Sequence, residues 1–176
     1  FNDEYQSSMV SLKAGRTNFS WADELSVNLT YADNKDNQQH PSTSTNIVFG
    51  KVHSRNETYL LSGLYKKQFN RLFIKSYVLT GNITEKYYDT ASRSYDWEGS
   101  YTDKSTETQG ELGNLSIFER EDDILRLNLS GDYSYNQDIT LSLNLSSNKL
   151  DRDGNDSIDT VNVNFTLPNS IDKNVL

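Results

Sequence analysis

At 176 residues the chain fits one domain, residues 1–176, that can bury a core without covalent staples. It has no Cys, which excludes disulfides and thiolate metal or nucleophile sites, and no apolar run approaches the roughly 18 residues of a membrane-spanning helix. With 17 basic and 25 acidic residues the net charge is −8, which argues against nucleic acid or an anionic lipid surface as partner and reads most simply as solubility.

The chain opens FNDEYQSSMVSLKAGRTNF. It starts on Phe, with no initiator Met and no basic leader, and reads as the terminus left after removal of a signal peptide. Export without Cys fits a prokaryotic surface. Residues 1–12 hold neither Pro nor Gly and offer Phe1, Tyr5, Met9, Val10 and Leu12 as anchors. An extended segment of this kind can complete a sheet edge, in its own subunit or in a neighbouring copy.

Period-two patterning then dominates. Leu25, Val27, Leu29 and Tyr31 alternate with Ser26, Asn28 and Thr30. The same pattern returns at Leu125–Leu129, at Ile139–Leu145 and at Val161–Leu167, each time with Asn, Ser, Thr or Arg between the apolar residues. Less regular strands are expected at 45–52, 57–65, 71–84 and 113–118, the third apolar on both faces and therefore central. A short helical turn is expected at 64–73. Polar stretches at 32–44 and 85–112 read as loops, the second long enough to be functional or to hide a hairpin. About ten strands with one wet and one dry face predict an all-β, antiparallel β-sandwich, with a β-barrel as the alternative.

Candidate chemistry is sparse. Nine Asn-x-Ser/Thr triplets, at Asn18, Asn28, Asn56, Asn82, Asn114, Asn128, Asn144, Asn155 and Asn164, exceed the roughly four that 19 Asn and 36 Ser plus Thr would give by chance. They mark either a glycosylated exported surface or the wet faces of amphipathic strands. In DRDGNDSID, Asp151, Asp153, Asn155, Ser157 and Asp159 stand at alternate positions, as oxygen ligands of a calcium loop do; Asp153-Gly154 as a hairpin turn is the competing reading. Tyr87, Tyr88, Tyr95, Trp97 and Tyr101 in the 85–112 stretch suit stacking on surface glycans or closure of one end of the fold. His40 and His53 have no zinc spacing, no nucleophile elbow or phosphate loop is present, and no enzyme is expected.

Phe1, Asp3, Ser7, Ser8, Leu12, Ala14, Gly15 and Phe19 resemble, in order and spacing, the mature N-terminus of the TasA/camelysin family of secreted filament proteins. Arg16 and Asn18 depart from that pattern. The resemblance implies a jelly-roll sandwich, secretion to the cell surface, and polymerisation with copies of itself through a donated N-terminal strand, residues 1–12. The protease activity described for camelysins has no zinc-ligand set here to support it. The long amphipathic strands and Tyr-rich loop also resemble segments of outer-membrane barrels such as TonB-dependent transporters, in which the Leu-rich faces meet lipid and the Asn/Ser/Thr faces line the lumen. The lack of a terminal aromatic strand, and Lys51 and Lys75 in mid-strand, count against that alternative. A surface adhesin using Trp97 is the third expectation.

Overall fold

A computed structural model describes residues 3–40, 46–105, 109–112, 115–158 and 170–175. In chain order its strands are β1 (Tyr5–Thr17), β2 (Glu24–Asn37), β3 (His53–Phe69), β4 (Leu72–Asp89), β5 (Arg93–Tyr95), β6 (Tyr101–Asp103), β7 (Ser116–Ser134), β8 (Thr140–Asp156) and β9 (Ser170–Val175). Six long strands, β1 to β4 with β7 and β8, form one antiparallel sheet, and the short β9 adds a seventh at the edge of β8. The order is β1-β2-β3-β4-β7-β8-β9, so each strand lies beside its predecessor in the sheet. β5 and β6 make a separate two-stranded ribbon.

The all-β, antiparallel expectation holds, but the layering differs. Among the described residues the second sheet of a sandwich is not found, and the long sheet is not closed into a barrel. Nine strands are found among the described residues, and some segments that read as separate are continuous. The charged run FEREDD joins 113–118 to 125–129 within β7, since its charges are matched across the sheet: Arg120 bonds Glu85 on β4, and Arg152 on β8 holds Asp122. The expected helical turn at 64–73 is instead the β3–β4 hairpin, which turns at Asn70 with φ 48°. The expected strand at 45–52 is, over its described part, a loop with a single bridge from Val48 to Tyr95. Residues 161–167 lie outside the described residues.

Apolar burial is confined to the ends of the sheet. Among the described residues only Ala22, Val48, Phe49, Val52 and Ala91 are buried apolar residues, and all lie in the connections between strands. Among the described residues no apolar side chain within the strands of the sheet is buried.

Gly81 on β4 lies opposite Leu60 on β3, and the space beside it is filled. A Cβ there would stand 2.1 Å from the Tyr59 carbonyl oxygen and 2.6 Å from the Leu60 side chain. Gly81→Ala, normally favourable in a strand, is therefore expected to destabilise by about 1–3 kcal/mol in a denaturant titration.

Candidate functional site: the two faces of the sheet and its loop cap

Residues directly opposite in an antiparallel ladder point to the same side of the sheet. One row runs Ala14, Val27, Gly63, Val78, Leu127, Ser147, and the next on that side runs Arg16, Leu25, Tyr65, Ser76, Leu129, Leu145. The register thus collects Val10 and Leu12, Leu25 to Tyr31, Leu61, Ile74 and Val78, Leu125 to Leu129, and Leu141 to Leu145 on a single face. The other face is mixed: it carries Ser11, Lys13, Asn28, Thr30, Ser62, Lys66, Asn128, Ser130, Ser146 and Asn148, together with Leu60, Leu64, Phe73, Tyr77, Leu79, Ile124 and Leu150. Its side chains bond one another: Ser11 donates to Asn28 (2.9 Å), Ser146 to Asn128 (2.8 Å) and Arg126 to Asn148 (2.7 Å), and Lys66 pairs with Glu24 (2.7 Å).

The apolar face is bare. Leu12 is 66% exposed, Leu29 52%, Leu127 45% and Leu143 61%. Water-soluble monomers rarely expose contiguous apolar patches beyond a few hundred Å², and this one crosses six strands.

The apolar window also slides along the sheet. Its middle is Leu12 on β1, and the row through Leu12 passes Leu29, Leu61, Thr80 and Leu125 to reach Lys149 on β8. The middle of the window on β8 is Leu143, six residues away from Lys149. The slip is uneven: on β7 the middle is Leu127, in the row of Ala14 and two residues from Leu12, and the other four residues come at the step to β8. Averaged over five strand steps, at about 3.3 Å per residue and 4.8 Å per strand, it inclines the strands by about 40° to the band. Transmembrane barrel strands are tilted by about 35–45° to the bilayer normal.

Both rims of the band carry aromatic residues. At one rim Tyr31 and Tyr59 have ring centroids 4.9 Å apart. At the other, Phe19 stacks on Trp21 (5.0 Å) and Trp21 on Tyr65 (6.4 Å), whose hydroxyl donates to the Trp21 carbonyl oxygen. The two ends of the sheet are unlike. At the Trp21 end the connections are short, 18–23, 70–71 and 135–139; at the opposite end β2 to β3 and β4 to β7 are joined over the longer spans 38–52 and 90–115.

Toward that long-loop end the strands run on beyond the apolar window, and their residues become charged and paired. On the apolar side Arg55 pairs with Asp33 (2.9 Å) and Glu57 (3.1 Å), and Lys86 with Glu119 (3.0 Å). On the polar side the Arg152 guanidinium bonds Asp122 through both nitrogens, at 2.5 and 2.7 Å, and Arg120 lies 3.7 Å from it. The hydrogen bond from Arg152 holds the Asp122 carboxyl below its ordinary range, against the opposing effect of burial. A depressed folded pKa stabilises above the unfolded value, near 3.8, and that contribution disappears as pH falls through the folded pKa. Arg152→Ala is expected to cost about 1–3 kcal/mol at neutral pH, with the gap to wild type closing below pH 4 in denaturant titrations across pH.

The loop cap is built on two buried carboxylates. Asp89, 1% exposed at the end of β4, accepts from the backbone N–H groups of Glu111 (2.5 Å) and Leu112 (2.9 Å). The Glu111 carboxylate in turn accepts from the backbone N–H of Gly50, of Lys51 (3.0 Å) and of Val52 (2.9 Å). Two loops far apart in sequence are thereby locked together. The cap leans over the polar face, burying Ser54 and Asp89. Burial, with Asp89 and Glu111 nearby, pushes the Tyr87 hydroxyl on that face up to about 12.

The expected site residues fall as follows. Tyr5, Met9, Val10 and Leu12 belong to β1, which pairs with β2 in its own sheet from Tyr5↔Asp36 to Thr17↔Glu24; Phe1 lies outside the described residues. Asp151, Asp153 and Asn155 alternate along β8, with Gly154 opposite Arg120, so Asp153-Gly154 is not a turn. Extended backbone places them about 6.7 Å apart in a line and does not wrap an ion as a loop would. Among the described residues no group of three or more His, Asp or Glu could hold a metal ion, and Asp159 lies outside them. Asn28, Asn56, Asn82, Asn128, Asn144 and Asn155 are strand residues, Asn18 is in the 18–23 turn with φ 63°, and Asn114 and Asn164 are outside the described residues. Tyr87 and Tyr88 belong to β4, and Tyr88 stacks on His53 at 4.6 Å; Tyr95 and Tyr101 face each other across the ribbon hidden in the long loop. Asp89 and Glu111 were not singled out by sequence, where they look like any other surface acids.

Comparison of the chain with known protein families, with characterised proteins and with solved structures returns no match.

Proposed function

We propose that this chain forms part of the wall of a β-barrel spanning an outer membrane, in a pore or transporter whose polar face lines a water-filled lumen. The observation that carries this reading is the bare apolar band, whose slip along the strands corresponds to a tilt of about 40°. A hydrocarbon layer would cover that band, the aromatic rims would lie at the two interfaces, and the short turns would face the periplasm with the cap outside. Closure requires further strands at the open edges of β1 and β9, because no backbone group in a bilayer can go without a partner. TonB-dependent transporters are the outer-membrane barrels that the strands resemble.

This reading is preferred to filament assembly for one reason. Strand donation by residues 1–12 would satisfy an edge and leave the apolar face in water, whereas a barrel wall uses both features. The test is membrane association of the native protein. It should stay in the membrane through carbonate and urea washes and need detergent for extraction. Release of folded protein by either wash would refute the proposal.

A further inference from the structure

We infer that the loop cap carries a binding cleft for a neutral saccharide, with Trp97 as its stacking platform. The cleft lies between loop 46–50 and the turn 96–99, encloses about 280 Å³, and is walled by Phe49, Gly50, Tyr95 and Trp97. That volume is at the small end of ordinary ligand pockets and suits a single ring rather than an extended chain.

The walls are fixed by bonds that serve no strand ladder. Phe49 is 1% exposed, and its backbone N–H donates to the Gln39 carbonyl oxygen (2.8 Å). The Tyr95 ring lies against Gly50 so closely that a Cβ there would be 2.2 Å from it. The turn bearing Trp97 is held by Asp96, whose carboxylate accepts from the N–H groups of Glu98 (3.0 Å) and Ser100 (2.8 Å), and by Gly99 at φ 85°. Trp97 itself is 46% exposed, with its ring centroid 6.0 Å from that of His40. A large indole left half in water on a rigid, well-bonded turn forgoes the burial that Phe49 obtains on the opposite wall of the cleft.

The chemistry around it narrows the ligand. The exposed indole offers an apolar face of the kind that takes the C–H face of a sugar ring. The carboxylates of Asp96 and Glu98, on the same turn, accept hydroxyl hydrogen bonds and repel anions. Rings with carboxylates could also hold an ammonium group, and the experiment separates the two. The inference does not depend on the sheet crossing a membrane: failure of sugar binding would leave membrane retention untouched, and the reverse also holds.

The chain has two Trp, and Trp21 is at the opposite end of the sheet, so Trp21→Phe leaves Trp97 as the sole indole reporter. Detergent-purified protein with that change, titrated with short neutral gluco-, manno- and xylo-oligosaccharides, should show a saturable change in Trp97 emission with at least one of them. Calorimetry should then give at least a tenfold weaker affinity for Trp97→Ala and a smaller loss for Trp97→Phe, with the cap of both variants still protease-resistant. Three outcomes would overturn the inference: no saturable response to any sugar, undiminished binding by Trp97→Ala, or a response to choline that exceeds every sugar.

Discussion

Leu61→Arg is expected to lower stability in a bilayer by about 2–4 kcal/mol, while Ser62→Arg, one residue along the same strand, should cost less than about 1 kcal/mol. The contrast arises from the pleat alone. Leu61 faces the bare apolar side, opposite Leu29 and Thr80, and is 43% exposed there. Ser62 lies opposite Asn28 and Leu79 on the side that carries Lys66, Arg126 and Asn148. If the apolar face is covered by a bilayer as proposed, a guanidinium at the first position meets hydrocarbon, whereas at the second it lies on the mixed face, beside Asn28 and Leu79. Urea titration of both variants folded into lipid vesicles measures the difference. Equal costs would mean that the two faces see the same solvent.

Glu111→Ala should dismantle the cap while leaving the sheet standing. The carboxylate is the acceptor for three consecutive backbone N–H groups, those of Gly50, Lys51 and Val52, in a region where Val52 is fully buried. Each buried donor left without a partner costs about 1–3 kcal/mol, so the loss is comparable to the whole stability of a small ordered loop. Limited proteolysis should cut rapidly within 46–52 and 90–112, with the strand signal in circular dichroism unchanged. The Tyr87 hydroxyl, raised first by burial, should titrate nearer its ordinary value once the loops part. Glu111→Gln, which keeps an acceptor oxygen, should fall between the two. Since Trp97 rides on the ribbon within the 90–115 loop, Glu111→Ala should also weaken saccharide binding.

The existence of the amphipathic strands was legible in residues such as Leu25, Val27, Leu29 and Tyr31, because alternation needs only the pleat. Their length was not. Glu119 to Asp123 fall between two expected strands and Asp151 to Asp156 read as a calcium loop or a turn; both become strand only when Arg120, Arg152 and Lys86 are known to stand opposite acids. The single layer was illegible for a different reason. A strand with one dry face looks the same whether that face meets a second sheet or lipid, and only the register shows that Leu12 and Leu143 belong to one continuous, inclined band. Asp89 and Glu111 gave no signal because a carboxylate's value as a backbone clamp depends on which N–H groups tertiary structure brings to it.

Because the chain lacks Cys, single cysteines can be placed along β7 without background. In the folded protein in lipid, probes at Leu125→Cys, Leu127→Cys and Leu129→Cys should be quenched by lipid-borne quenchers, and those at Arg126→Cys, Asn128→Cys and Ser130→Cys by water-borne ones. A strict period of two across these six positions is the predicted result. Uniform access from water on both sides of the strand would contradict the membrane-wall account.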